Sequence, residues 1–401
     1  MVQGKAILVV DLGNSSTKIK VMFGKDAKGK YRTRRYELSN VFAPIDEGYE
    51  ISEDYNPATS TVLRVDAELN GHVIKGNFCN GELQDKEKPL SIIKPSASAK
   101  KYDLDSTVLS LRLAFLYGYK AIADIQRKSE LDELDINWTV ITLLPPGDVS
   151  EGREPMTNIV KDITVIDSVF PSIKIDVTVS NVIVLPEGFC AYAGVVYEKG
   201  ETYRSSHKFL IDENVLVFDI GAGTTDCVLI KQNKLIQNSK YTITQGGNNV
   251  FQFVRRKLRM KGLDLGDSDI KEGIIKGSIR DGAKTIPISD IVNAAKDEVA
   301  QKIVSEIGDF IEETDLKVRS VGYLLICGGG SMTDSGSEDI IPLSKKIIEN
   351  FKRLAPNAEL IELPEHIVSK EDEDDNVARV SEPISPRDLN LIGASILAES
   401  L

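Results

Sequence analysis

The chain has 401 residues, 41% of them hydrophobic and 27% charged, with a formal net charge of -12 at pH 7. That length exceeds one ordinary domain, the apolar content can fill two cores, and the acidity speaks against direct binding of nucleic acid over a broad surface. Cys79, Cys190, Cys227 and Cys327 show no CxxC spacing, which disfavours zinc and a disulfide framework and favours small core residues. No stretch approaches the ~18 apolar residues of a membrane span, and residues 1–5 lead directly into an apolar run without a signal-like segment, so a cytoplasmic protein with no membrane partner is expected.

In chain order, Ala6 to Val10 is an apolar run that predicts a buried strand. It ends in Asp11-Leu12-Gly13-Asn14-Ser15-Ser16-Thr17-Lys18, and Lys18 to Phe23 and Tyr31 to Leu38 continue as strands around a polar turn, so this loop joins two antiparallel strands. Residues 40–101, punctuated by Pro44, Gly48, Pro57, Gly71 and Gly76, read as a small β-rich insert. Apolar residues at helical spacing predict a helix over 105–127, followed by a strand from Ile136 to Leu144 with Trp138 in the core. Val182 to Leu185 reads as a further strand, with a helix from about Gly188 to Val196 and a polar connection over 197–213.

The second half repeats the opening. A strand over 215–218 delivers Asp219-Ile220-Gly221-Ala222-Gly223-Thr224-Thr225-Asp226, and Cys227 to Ile230 returns as a strand, followed by another at Tyr241 to Thr244. Gly246-Gly247-Asn248-Asn249 opens a helix through Lys257, Ser289 to Glu312 is amphipathic, and the strand Tyr323 to Ile326 leads into Cys327-Gly328-Gly329-Gly330-Ser331. Helices over 342–354 and 388–398 flank an acidic run, Glu371 to Asp375, read as a solvated loop. Basic clusters at 25–35 and 255–261 read as surface, and His72, His207 and His366 lack metal-like spacing.

Each aspartate-glycine loop suits a phosphate. Glycine at 13, 221 and 223 lets backbone N–H groups approach closely, and Ser15, Ser16, Thr224 and Thr225 offer hydroxyl donors. Lys18 can act as a point charge toward the distal phosphates. Asp11 and Asp219 would repel a phosphate, a conflict that a hydrated magnesium ion between carboxylate and phosphate resolves.

Taken together, the segments resemble the actin, Hsp70 and sugar-kinase ATPase superfamily, and within it the ParM-type bacterial actins that segregate plasmids. The resemblance rests on the loops at 11–18 and 219–226, the connecting segment Pro186-Glu187-Gly188-Phe189-Cys190-Ala191-Tyr192-Ala193-Gly194, the glycine turn 327–331, and Leu391-Ile392-Gly393-Ala394. It implies an α/β fold of two related actin-like (RNase H-like) domains around a central nucleotide cleft, each with a small inserted subdomain. The expected divisions are domain I at 1–200 with an insert at about 24–104, domain II at 201–385 with an insert at about 258–290, and a C-terminal helix over 386–401 packing back on domain I.

The resemblance also implies site roles. Asp11 and Asp219 would order magnesium and its waters. Gly13, Asn14, Ser15, Ser16 and Lys18, with Gly221, Ala222, Gly223, Thr224 and Thr225, would grip the phosphates of ATP, with GTP the alternative nucleotide. Glu187 would polarise the attacking water, Gly328, Gly329, Gly330 and Ser331 would lie against adenosine, Glu272 and Lys276 would contact adenine or ribose, and Gly393 would allow close packing at a hinge. The expected function is an ATPase filament that drives plasmid segregation through a separate DNA-binding adaptor at a centromere. The alternatives are a small-molecule kinase, for which no second aspartate motif is evident, and a cell-shape or division actin, for which no terminal amphipathic helix is evident. A chaperone is disfavoured because no peptide-binding domain follows the last helix.

Overall fold

The computed structural model describes residues 2–14, 16–27, 29–49, 51, 55–56, 59–87, 91–96, 99–127, 131, 134–236, 240–312, 317–331, 337–364 and 384–400. Ser15, Pro57, His366 and the acidic run at 371–375 lie outside the described residues. The chain divides into two compact units that meet in sequence at Pro186 and Glu187.

The first unit opens with strands β1 (Val2–Leu12), β2 (Thr17–Lys25) and β3 (Tyr31–Leu38). β1 and β2 form the expected antiparallel hairpin, with Asp11 opposite Lys18 and Leu12 opposite Thr17. Residues 6–10 are buried without alternation, the pattern of a strand covered on both faces of its sheet. There follow β4 (Ala43–Ile45), β5 (Ser60–Leu69), β6 (His72–Gly81), α1 (Glu82–Glu87), α2 (Asp105–Gln126), β7 (Leu134–Leu144), α3 (Val149–Lys161), β8 (Val165–Phe170), β9 (Ile173–Asp176) and β10 (Thr178–Pro186).

The principal sheet has the order β10-β7-β1-β2-β3, with β10, β7 and β1 parallel. A second sheet, β4-β6-β5-β8-β9, is antiparallel throughout. Helix α2 packs against strands of both sheets, which explains why nearly all its side chains are buried. Trp138 is fully buried beneath it, edge-on to Phe115 and Tyr119.

Two differences from the sequence reading concern this second sheet. Residues 31–38 belong to the principal sheet, so the insert begins after them, as the 40–101 reading has it, and not at about residue 24. The insert is also not one contiguous stretch, because β5 pairs with β8, which returns from residues 165–170. Neither α3, β8 nor β9 was legible in the sequence. Helix α3 carries Pro155 in its interior, and β8 and β9 are short and half-buried.

The second unit begins with α4 (Phe189–Val196) and continues through β11 (Tyr197–Lys199), β12 (Thr202–Tyr203), β13 (Asn214–Ile220), β14 (Thr225–Lys231), β15 (Lys234–Leu235) and β16 (Tyr241–Ile243). Then come α5 (Gly247–Met260), α6 (Asp267–Lys276), β17 (Ser278–Asp281), β18 (Lys284–Pro287), α7 (Ser289–Glu312), β19 (Tyr323–Cys327), α8 (Leu343–Phe351), β20 (Glu359–Leu360) and α9 (Leu389–Ala398). The main sheet runs β15-β14-β13-β19-β20, with β16 added on β14. Its antiparallel hairpin, β13 and β14, flanked by parallel β19, repeats the arrangement of β1, β2 and β7.

The division between units falls earlier than the residue-200 boundary expected from sequence. Ala191, Tyr192, Val195 and Val196 of α4 share a core with Val215, Val217 and Val228 of the second sheet and with Leu389, Ile392 and Ile396 of α9. Helix α4 therefore packs with the strands that follow it.

Lys296 on α7 is the one large fully buried charged side chain among the described residues, and its ammonium donates to the Ile341 carbonyl at 3.2 Å. Neighbouring Asp297 is engaged by Lys346 and Asn350 instead. Burial lowers the Lys296 pKa from 10.5 to about 8, since desolvation penalises the charged form. Below about pH 8 both folded and unfolded states carry the proton and the fold bears the desolvation cost. Between about 8 and 10.5 the unfolded chain binds more protons, so stability rises with pH. Lys296→Met is expected to raise stability at pH 7 by about 1–3 kcal/mol and to flatten this rise, as read from urea midpoints across pH 7 to 10.

Candidate functional site

In the first unit the β1–β2 hairpin presents the first loop. Asp11 and Lys18 face one another across the ladder and both are nearly buried, with Nζ and Oδ2 4.0 Å apart. That spacing is loose for an ion pair. The Gly13 N–H donates to the Asp11 carbonyl at 3.2 Å, and the Gly13 carbonyl accepts from Asn40 Nδ2. Asn40 is itself buried, so it braces the loop from beyond β3. Ser16 is buried and Asn14 half-buried beside it.

In the second unit the β13–β14 hairpin presents the second loop, closed by a hydrogen bond from the Gly221 N–H to the Thr224 carbonyl at 2.8 Å. Here the position opposite Asp219 is held by Asp226, a like charge on the same face. Cross-strand neighbours of one sign repel. Each carboxylate is met by a neutral donor: Asn390 Nδ2 reaches Asp219 Oδ2 at 2.5 Å, and Thr242 Oγ1 reaches Asp226 Oδ1 at 2.5 Å. Burial, then the Asp226 and Asp219 carboxylates, push the thiol of Cys227, the residue after Asp226, well up, which leaves it an inert core residue.

Three backbone segments close around this loop. The Gly247 and Asn248 N–H groups at the start of α5 donate to the Gly221 and Ala222 carbonyls at 3.0 and 2.7 Å. Thr225 Oγ1 donates to the Gln245 carbonyl at 2.7 Å. The turn at 328–331 lies so close that a Cβ on Gly330 would run into the Gly221 carbonyl oxygen, and one on Gly328 (φ +87) into the Asp219 carboxylate. Only glycine permits that approach. Ser331 Oγ tightens the turn by donating to the Gly328 carbonyl at 2.8 Å, and the Gly328 N–H donates to the Pro386 carbonyl at 3.0 Å.

Glu187 follows β10 and is nearly buried, with its carbonyl accepting the Phe189 N–H at 2.7 Å where α4 begins. Asn390 ties this turn to the second loop. Its Oδ1 accepts the Gly188 N–H at 2.9 Å while its Nδ2 donates to Asp219. The structure thus brings together Glu187, Asp219, Gly221 to Thr225 and Gly328 to Ser331. Gly393 on α9 meets Cys190 and Gly194 of α4 so closely that a Cβ would collide with the Cys190 carbonyl.

Glu272 and Lys276 are not gathered in. They form an ion pair with each other on the exposed face of α6, and among the described residues no hydrogen bond or ion pair links either to the glycine loops. The Lys276 ammonium lowers the Glu272 pKa. Three contributors escaped the sequence reading. Asn390 left a trace as a lone amide in an otherwise apolar helix start, Arg387 packs its side chain over Gly329, and Asn40 gave no signal.

Among the described residues no cluster of three or more His, Cys, Asp or Glu side chains could hold a metal, and no helix is long and apolar enough to cross a membrane.

Residues 217–333 match the family model for the archaeal actin homologue MreB-like C-terminal domain. No curated protein matches the sequence. The structure is similar to that of the actin-like protein Alp7A (15% identity, TM-score 0.65, covering 100% of this chain and 97% of that one). It is similar to an archaeal actin homologue (15%, 0.61, 99% and 100%), which has also been crystallised in complex with ADP. It is also similar to ParM from a 15-stranded filament of Clostridium botulinum (16%, 0.59, 98% and 98%). The chain has the actin-like α/β fold, as the resemblance in its sequence implied, with ParM proteins among its structural neighbours.

Asn390→Ala removes one donor and one acceptor at a partly buried carboxylate. It is expected to lower stability by about 1–3 kcal/mol, measured by denaturant unfolding, whereas exposed Glu272→Ala is expected to change it by less than about 0.5 kcal/mol.

Proposed function

We propose that this protein is an ATP-dependent, filament-forming actin-like ATPase, and that its cellular role is DNA segregation through a separate adaptor. The observation that carries the reading is the recurrence, in both units of an actin-like fold, of a strand hairpin that ends in a carboxylate and a glycine-hydroxyl loop. A ParM neighbour forms a filament and the archaeal neighbour binds ADP; both properties are proposed here for this chain.

On this reading Lys18, with the 13–16 and 221–225 loops, binds the phosphates, and the start of α5 adds its helix-dipole field near the second loop. A magnesium ion fits the residues present. Asp219 and Asp226 form a like-charge pair, and hard carboxylate oxygens suit a cation that keeps most of its water and takes its other ligands from phosphate. Asp11 and Asp219 would hold it through water; the ion would neutralise charge on the phosphates. Glu187, fixed in a turn tied through Asn390 to Asp219, orients and polarises the attacking water. The 328–331 turn offers backbone to the adenosine. Filament growth follows if the assembled contact prefers the nucleotide-bound conformation, because the nucleotide then shifts assembly by its differential affinity.

The purified protein is expected to pellet with ATP and magnesium, to show filaments by electron microscopy, and to disassemble as ADP accumulates. A protein that stays monomeric at high concentration while phosphorylating a small molecule would replace this reading with a kinase. Glu187→Ala is expected to slow phosphate release by roughly 10² to 10⁴-fold with nucleotide still bound, and Asp219→Ala to weaken magnesium-nucleotide binding. Phosphate-release assays and nucleotide titrations separate the two effects.

A further inference from the structure

The turn that carries Glu187 has an uncommon backbone. Gly188 stands at φ +70 and ψ -51, and the Phe189 N–H donates to the Glu187 carbonyl, two residues back, at 2.7 Å. That is the γ-turn of positive φ, the rare and strained form of the three-residue turn. Strain of this kind persists only where the surrounding structure holds it, and it concentrates at functional sites. A side chain at 188 is excluded twice, by the positive φ and by Val228 of β14, whose Cγ2 lies 2.9 Å from where a Cβ would stand.

The peptide between Glu187 and Gly188 is engaged at both ends. Its carbonyl takes the Phe189 N–H, and its N–H donates to Asn390 Oδ1 at 2.9 Å. The next carbonyl, that of Gly188, accepts the Tyr192 N–H at 2.9 Å and so starts α4. Asn390 lies in the first turn of α9, is only 8% exposed, and is the one amide side chain in a helix otherwise built of apolar and small residues. Packing alone would favour leucine there, because a buried amide has to replace its lost hydration with hydrogen bonds. Asn390 does so away from its own helix, on Gly188 and on Asp219. Ser395, the other polar residue of α9, instead donates to the Leu391 carbonyl within the helix at 2.6 Å.

The donors and acceptors along this chain of contacts run in one sense. An ionised carboxylate only accepts, so Asn390 turns its Nδ2 toward Asp219 and its Oδ1 away. Oδ1 also only accepts, so it calls for an N–H on the other side, and the 187–188 peptide supplies one. If that peptide turned over, its carbonyl would face Oδ1 and two acceptors would meet. If the amide turned over to receive it, Oδ1 would face the Asp219 carboxylate. The carboxylate thereby dictates, through one amide, which way the peptide after Glu187 points, and so fixes the backbone from which the Glu187 side chain departs.

We propose that Asn390 is the positioning residue of hydrolysis, holding the strained turn at Gly188 so that Glu187 is aimed consistently with Asp219. The proposal rests on the reading of Glu187 as the residue that polarises the attacking water, and adds to it the device that keeps Glu187 in place. It implies a split between steps. The loops proposed to bind the phosphates keep their own backbone bonds without Asn390, whereas the aim of Glu187 depends on it. Loss of the amide is therefore felt in turnover and little in affinity.

The test compares turnover and magnesium-ATP affinity for the wild type, Asn390→Leu, Asn390→Ala, Ser395→Ala and Glu187→Ala. Asn390→Leu suits the apolar helix and removes both bonds. It is expected to slow phosphate release about 10²-fold with Kd changed by less than about threefold, and Asn390→Ala is expected to do the same. Ser395→Ala alters the same helix without touching the turn and is expected to turn over like the wild type. Amide exchange in the nucleotide-free protein supplies a readout apart from activity: carbonyl-labelled glutamate with nitrogen-labelled glycine isolates the Glu-Gly amides, at residues 48, 152, 188 and 273. The Gly188 amide is expected to exchange slowly in the wild type and at least about tenfold faster in Asn390→Leu, with no such change in Ser395→Ala. Five results would each overturn this role and leave the ATPase reading standing: wild-type turnover in Asn390→Leu, a fall in affinity that accounts for the whole loss, a Gly188 amide that exchanges freely in the wild type, one that is unchanged in the variant, or an equal loss in Ser395→Ala. Wild-type turnover in Glu187→Ala, or no hydrolysis by the wild type, overturns both.

Discussion

The closeness of backbone to backbone around the Gly221 and Ala222 carbonyls is the constraint on which the second unit's organisation turns. Two amides from the start of α5 end on those oxygens, and the 328–331 turn presses against them at a distance no side chain would allow. A hairpin end, a helix start and a strand end are thereby locked in one register. The loop's hydroxyls and free edge are then presented by elements that cannot slide relative to one another, the preorganisation that binding a charged ligand requires. Any residue larger than glycine at 328 or 330 would force the strands apart.

The two hairpins share a topology and differ in electrostatics. In the first, Asp11 faces Lys18, so the pair is neutral and a cation is already near the loop. In the second, Asp219 faces Asp226, and the repulsion is tempered by the neutral donors Asn390 and Thr242. The first hairpin thus pairs opposite formal charges across its ladder, whereas the second pairs like charges. Asn390 joins Asp219 to the turn carrying Glu187, accepting from the Gly188 N–H while donating to the Asp219 carboxylate.

The sequence was legible where a local rule governs. Unbroken apolar runs gave the central strands, because a strand covered on both faces needs no alternation. Asp-x-Gly after such a run gave both hairpin loops, and the repeat between halves followed from them. Where a contact depends on partners distant in the chain, local rules fell silent. β8 and β9 are short and half-buried, and only pairing with β5 makes them strands. Helix α4 looked like the last element of the first half, yet its apolar face belongs with Val215, Val217 and Leu389.

The amino-acid sequence alone determined the fold class, the two loops and the glycines that permit close approach, since each of these is set by a residue's own backbone freedom or by its immediate neighbours. Only the tertiary structure decided that Asn390 bridges Glu187's turn to Asp219, that Asn40 braces Gly13, and that Glu272 and Lys276 pair with each other on an exposed helix face. A hydrogen bond across two hundred residues leaves no periodicity behind it, because what selects the partner is the packing of whole elements rather than any local preference of the chain.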